Sequence, residues 1–196
     1  LKYLILLLLF ATPAFGSNLL EDRILSTAIA DVKIYGRASI NTLKTEDMGD
    51  FAYLVGKEFN LGETLRAVVY LESKFGTSGR VGDHGKARGV TQIQIPTAKF
   101  ILKELLKVET RFSDNEIKLL LTYNDKVCII LSKHYLRYLM DRFKNHKANW
   151  SHAVLSYNRG PTIVTSHGLN HDPNDYVKKA KQFIAQERKD LFTSTM

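Results

Sequence analysis

Apolar residues recur at spacings of three and four along most of this chain, and a period of two is almost absent, so the pattern predicts helices. Leu20 to Ile34 carries Ile24, Leu25, Ala28, Ile29 and Val32 on one stripe. Asp47 to Phe59 carries Phe51, Leu54 and Val55, and Asn60-Leu61-Gly62 stops it. A third helix places Leu65, Val68, Val69 and Glu72 on one face, with Phe75 next on that face and Gly76 as a C-terminal stop. Pro96 to Val108 reads as a helix with proline in its first turn. Ser113-Asp114-Asn115-Glu116 is a capping box opening a short helix to Thr122. A long helix from Asp125 to Asn145 is striped by Val127, Leu131, Tyr135, Tyr138, Leu139 and Arg142. Ser151 to Tyr157 is short and amphipathic, and Gly160-Pro161 punctuates its end. Asp172-Pro173 opens a last helix that buries Tyr176, Val177, Ala180, Phe183 and Ile184. Val90 to Ile95 is the one strand candidate. The expectation is a mostly α domain with at most a minor β element.

Two features break this regularity, and they adjoin. Three positions of the third helix's inner face are apolar, and the fourth is Glu72, in the last turn. The C-terminal end of a helix favours cations, so the dipole does not help an ionised glutamate there. Desolvation and the dipole both act to raise its pKa, as suits a general acid. The plainer alternative is a surface glutamate paired with Lys74 or Arg66. Directly after it, Gly76 to Gly89 holds five glycines in fourteen residues, interleaved with Ser78, Arg80, Asp83, Lys86 and Arg88. Such a run builds no core of its own and reads as a long polar loop of the functional kind. It returns to apolar character at Gly89-Val90-Thr91-Gln92-Ile93.

The chain opens with Lys2, a nine-residue apolar run from Tyr3 to Ala11, and then Thr12-Pro13-Ala14-Phe15-Gly16. A charged start, a short apolar run and small residues before a cut after Gly16 have the form of a secretory signal peptide. The run is shorter than the roughly 20 residues a membrane span needs, so no stable membrane anchor is expected. The expected division is residues 1–16 as signal peptide, 17–46 as an N-terminal helix and linker, and 47–196 as the main domain, in a periplasmic protein. The formal net charge is +8, or +7 once Lys2 is removed. A basic surface suits nucleic acid, an anionic membrane or an acidic polymer. Export, with cations spread over several helices, speaks against nucleic acid. The single cysteine, Cys128, forms no internal disulfide and sits in an apolar helical run as a small core residue. The six histidines show no metal-ligand spacing on a helix; His167 and His171 are four apart but flanked by Gly168, Asn170 and Pro173. No metal and no cofactor are expected.

Later in the chain, Ser156-Tyr157-Asn158-Arg159-Gly160-Pro161 ends a helix, and Tyr176-Val177 begins the last one. Taken in order, Glu72-Ser73, Gly89-x-x-Gln92, Tyr157-Asn158 and Tyr176-Val177 resemble the SLT-type lytic transglycosylases. These are bacterial peptidoglycan-cleaving enzymes with a goose-lysozyme-like fold. The resemblance spans roughly Asp47 to Arg188. It departs from the family pattern at Thr91, where methionine is usual, at Ser156, where alanine is usual, and in a long segment from Lys99 to Lys126.

The resemblance implies a lysozyme-like α domain with a glycine-rich loop, with peptidoglycan glycan strands as substrate. Glu72 would be the catalytic acid/base and Ser73 would support the glycan or the acid. Gly89 and Gln92 would belong to the cleft wall, Tyr157 and Asn158 would orient the sugar, and Tyr176 would hydrogen-bond near the acid. The Thr91 departure would alter one sugar subsite. Glycoside cleavage ordinarily needs two carboxyls, whereas a lytic transglycosylase needs one. Asp83, in the glycine-rich run, is the only nearby second carboxylate and is otherwise a turn residue. A lysozyme-type hydrolase and a non-catalytic wall-binding assembly factor are the alternatives. Small exported members of the family serve secretion or conjugation machines, so components of such a machine are the implied protein partners.

Overall fold

The computed structural model describes residues 19–38, 40–170, 172 and 175–193; the expected signal segment lies outside them. Among the described residues the helices are α1 (Leu19–Tyr35), α2 (Thr45–Gly56), α3 (Gly62–Ser73), α4 (Ile95–Phe100), α5 (Asp114–Tyr123), α6 (Asp125–Arg142), α7 (Asn149–Arg159), α8 (Pro161–His167) and α9 (Tyr176–Thr193). Short 3-10 turns follow α2 and α8, and a π-helical turn, Ile101–Leu105, continues α4. The chain is mostly α, with one small antiparallel sheet.

The hub is α6. Seven consecutive residues, Val127 to Lys133, are buried, so this helix is covered on every side rather than along a stripe. It packs on α1, α2, α3, α5 and α7. Asn124 caps it by accepting from the Val127 amide at 3.1 Å, and the capping box at Ser113 and Glu116 starts α5 as expected. The apolar stripe of α1 enters the same core through Leu25, Ala28, Ile29 and Val32. The Lys133 ammonium, on a side chain only 1% exposed, pairs with Glu21 of α1 and with Glu58 at 2.8 Å. A buried ammonium is tolerable only with such partners. The boundary expected between residues 46 and 47 is therefore no break in the packing: α1 belongs to the domain.

A second apolar cluster positions the site. Ala67 of α3, Val154 of α7, and Tyr176 and Ala180 of α9 are buried together, with Leu71, Trp150, Val177, Phe183 and Ile184 packed around them. Three helices distant in sequence thus converge, and the C-terminal residues of α3 and α7 meet the N-terminal residue of α9.

The glycine-rich run is a tightly turned loop, as expected, and the minor β element is a three-stranded meander of two-residue strands in and just after it: β1 (Val81–Gly82), β2 (Ala87–Arg88) and β3 (Ile93–Gln94), with Val81 facing Arg88 and Ala87 facing Gln94. Two residues per strand leave no alternation to detect. Several expectations are corrected. Val90 to Gln92 is the turn into β3 rather than strand, and Gln92 adopts φ +50°. Gly160-Pro161 does not only end α7; Pro161 supplies the first turn of α8, where its missing N–H costs nothing. α3 stops at Ser73, three residues before Gly76, as Lys74 and Phe75 already take φ of +51° and +53°. Leu54 and Arg142, expected on inner stripes, face solvent. Met48 and Ala52 fill the inner face of α2 instead.

Candidate functional site

Glu72 lies where the sequence pattern puts it. Leu65, Val68 and Val69 have no exposure, and Glu72 closes their face one turn further on, partly buried. It has no cation partner among the described residues. Arg66 pairs instead with Glu187 at 2.9 Å and Asp50 at 3.4 Å. The Lys74 ammonium lies over the Tyr70 ring, 3.9 Å from its centre. The surface-pair alternative is therefore not the one adopted.

The carboxyl is held by neutral donors. Tyr176 Oη donates to Glu72 Oε1 at 2.6 Å, and Asn158 makes a second side-chain hydrogen bond to the carboxyl. Burial pushes the Glu72 pKa above its ordinary value of 4.5, and the bonds from Tyr176 and Asn158 offset only part of that rise. Burial likewise pushes the Tyr176 phenol well above 10, reinforced by the Glu72 charge, so it stays a donor. When Glu72 is neutral, the Tyr176 donor on Oε1 leaves Oε2 to carry the proton. A carboxyl whose pKa burial raises, held by neutral partners, has the attributes that a general acid needs.

Tyr176 is itself fixed at the start of α9. The Asp172 carboxylate accepts from the Tyr176 amide at 2.8 Å and the Val177 amide at 3.0 Å. The Asp172-Pro173 pair noted in the sequence thus contributes its aspartate as the helix cap, and α9 begins at Tyr176.

Asn158 connects Glu72 to a polar cavity of about 140 Å³. Its lining includes Gln92, Gln94, Thr97, Tyr157, Asn158 and Arg159. Gln92 and Asn158 thus share one cavity wall. Tyr157 contributes its ring, but its hydroxyl is engaged within the protein: it donates to the Thr91 carbonyl at 2.9 Å and lies 2.8 Å from Ser132 Oγ. Burial pushes its pKa upward as well. Gln92 Nε2 donates to the Gly89 carbonyl at 2.8 Å, which tightens the turn that carries it.

Two expected contacts are structural instead. Ser73 is 1% exposed; its hydroxyl donates to Val69 O at 3.2 Å and accepts from the Gly76 amide at 2.9 Å, fastening the end of α3 below Glu72. It presents no surface to a glycan. Gly89 is buried at φ +74°, and a Cβ there would lie 2.3 Å from both Cys128 Sγ and the Leu121 carbonyl. It serves the wall through its backbone, by allowing the meander to touch α5 and α6. Thr91 is fully buried with Oγ1 directed at the Cys128 carbonyl, so its side chain shapes the core and not a subsite.

Asp83 is exposed in the turn between β1 and β2 at φ +47°, and accepts from Gln94 Nε2 at 3.2 Å. Gln94 lines the cavity; Asp83 does not.

Sequence reasoning missed the support of the meander. Asp125, with no exposure, forms a two-pronged ion pair with Arg80 and also accepts from the Leu43 amide at 2.9 Å. The Arg80 carbonyl in turn accepts from the Gly89 amide at 2.9 Å. An aspartate in the first turn of a helix reads only as dipole complement, so no local pattern announced this role.

A second hollow, of about 880 Å³, lies on the other side of α4 between Lys99, Lys103, Lys107 and Phe112 and shares no lining residue with the first. It is built by the long segment that departs from the family pattern. Among the described residues no three His, Cys, Asp or Glu side chains gather as metal ligands, and no helix is long and apolar enough to cross a membrane. No protein-family model, no curated protein and no solved structure matches the chain.

Proposed function

We propose that this chain is an exported peptidoglycan lytic transglycosylase of the lysozyme-like kind, acting in the periplasm. The observation that carries the proposal is the state of Glu72: raised pKa, no cation partner, two neutral hydrogen-bond partners from α7 and α9, and a polar cavity beside Asn158. Structural ion pairs lower a carboxyl's pKa, whereas burial raises that of Glu72, as suits a catalytic acid. The same residues carry the resemblance in sequence: Glu72, Gln92, Tyr157, Asn158 and Tyr176.

In the proposed reaction neutral Glu72 gives the Oε2 proton to the glycosidic oxygen between N-acetylmuramic acid and N-acetylglucosamine, and the bond from that oxygen to the muramoyl C1 breaks. The resulting carboxylate takes the proton of the muramoyl C6 hydroxyl as its oxygen bonds to C1. A 1,6-anhydro ring closes, Glu72 is again neutral, and no water is consumed. Both transfers use one carboxyl. Local opening of the wall for an envelope-spanning machine is the proposed setting.

Mass spectrometry of muropeptides released from purified sacculi tests this with the parent chain, Glu72→Gln and Asp83→Asn. The expected result is anhydro products from parent and Asp83→Asn and none from Glu72→Gln. Reducing-end products together with an inactive Asp83→Asn would assign a two-carboxylate hydrolase. A folded parent that binds sacculi and releases nothing would assign a wall-binding assembly factor.

A further inference from the structure

Arg159 is the one charged side chain lining the 140 Å³ cavity, and no carboxylate lines it. It forms no ion pair among the described residues. Its Nε is shut off from solvent and meets no hydrogen-bond acceptor there. A guanidinium in the last turn of a helix is favoured by the dipole, which accounts for a cation at the end of α7. The dipole does not account for a buried Nε–H that meets no acceptor on a side chain lining a cavity. The other polar lining groups, Gln92, Gln94, Thr97 and Asn158, are uncharged. The recess therefore has the electrostatics of an anion site and is polar enough to be wet. At about 30 Å³ per water, its volume matches four or five waters, or a carboxylate with a few attached heavy atoms. The planar guanidinium fork pairs with two oxygens of a carboxylate or of a phosphate, and of these the glycan of the proposed reaction carries carboxylates.

We propose that Arg159 is a specificity-determining residue that receives a carboxylate carried by the muramoyl 3-O substituent of the glycan. This rests on the wall-glycan reading of the Glu72 site and goes beyond it in naming what the neighbouring cavity recognises. Asn158 hydrogen-bonds Glu72 on one side and lines the Arg159 cavity on the other. A sugar whose carboxylate is seated on Arg159 is thereby placed beside the acid. The same carboxylate chemistry comes from two sources: the free lactyl group of peptide-stripped strands, and the stem peptide of intact ones. A chitin-type strand of N-acetylglucosamine carries neither and lacks the group to be recognised.

Equilibrium binding to the full chain, followed by ligand-observed NMR, tests this without requiring turnover. The probes are N-acetylmuramic acid, its lactyl methyl ester, N-acetylmuramoyl dipeptide with its free carboxylate, and N-acetylglucosamine. The parent is expected to bind at least one of the two carboxylates about tenfold or more tightly than the ester and N-acetylglucosamine, equivalent to about 1.4 kcal/mol. Whichever carboxylate shows the preference identifies its source. Arg159→Gln is expected to erase the preference while leaving the weak binding of N-acetylglucosamine in place, and Arg159→Lys to restore part of it. A parent that does not separate charged from uncharged probes overturns the inference, as does an Arg159→Gln that still separates them. Should Arg159→Gln not fold, the parent's own preference and its reduction in Arg159→Lys decide the matter. A parent that prefers the carboxylates but releases no muropeptides from sacculi keeps the Arg159 site and rejects the transglycosylase. A parent that releases anhydro products without that preference does the reverse.

Discussion

Tyr176 Oη donates a hydrogen bond to Glu72 Oε1 at 2.6 Å, joining the first residue of α9 to the last turn of α3 across 104 positions of sequence. The bond favours the ionised carboxyl while burial favours the neutral one, and burial is the larger influence. Tyr176→Phe removes only the donor and leaves the ring in its apolar cluster. The Glu72 pKa is then expected to rise further, moving the alkaline limb of the pH–activity profile upward. The lost bond should cost about 1 kcal/mol by urea denaturation. An alkaline limb that does not move would show that Tyr176 does not set the acid's pKa.

Glu72→Gln keeps shape and removes the transferable proton. General acid–base catalysis contributes about 10²- to 10⁴-fold, and in the proposed reaction one group serves both transfers, so the loss should reach or exceed the upper figure. Stability should move the other way. The folded-state pKa lies above the ordinary 4.5, so the folded chain holds this proton more tightly than the unfolded chain does. That contribution is complete below about pH 4.5 and is lost as pH rises through the folded value. Parent and Glu72→Gln should therefore differ least in acid, with the variant gaining on the parent as pH rises. Thermal melts across pH measure this; a variant that falls further behind the parent with rising pH would contradict the raised pKa.

Asp125→Asn leaves Arg80 without its counter-charge and weakens the hold on Leu43. Breaking a buried pair costs about 3–5 kcal/mol, and the partial exposure of Arg80 places the expected loss near 3. The meander should open before the rest of the fold, so trypsin should cut at Arg80, Lys86 and Arg88 faster than in the parent. Equal cutting rates and equal urea midpoints would remove Asp125 from its positioning role.

Gly89→Ala tests the contact of the meander with α5 and α6. Its Cβ would sit 2.3 Å from Cys128 Sγ and from the Leu121 carbonyl, at φ +74°. Overpacking and left-handed strain together should cost about 3 kcal/mol or more. Gly160→Ala is the control, at φ +85° and ψ +144° with nothing within 4 Å, and should cost only the conformational part, about 1–3 kcal/mol. Equal losses in the two, read from denaturation midpoints, would show that the space at Gly89 is not tight.

Helices and most of their inner faces were legible in the sequence because helix periodicity is local: Leu25 to Val32, Leu65 to Val69 and Tyr176 to Ala180 are buried as their spacing requires. The same period placed Glu72 at the end of an apolar face, and the capping box located the start of α5. What lay beyond local spacing was decided by tertiary packing. The burial of α6 on every side reflects five neighbouring helices, which no stripe within Asp125–Arg142 encodes. The strands of the meander are too short to alternate, and the residue that holds Arg80 at their edge, Asp125, lies 45 positions away. Ser73 and Thr91 sit beside residues of the site in sequence yet turn into the core, because neighbouring side chains on a helix or tight turn point in different directions. Arg159, one residue past Asn158, turns into the cavity, where its charge faces no acid. The sequence by itself determined the helices and the place of Glu72 at the end of an apolar face; the tertiary structure alone decided which donors surround that carboxyl, because hydrogen bonds between α3, α7 and α9 depend on packing among segments that the chain brings together only when folded.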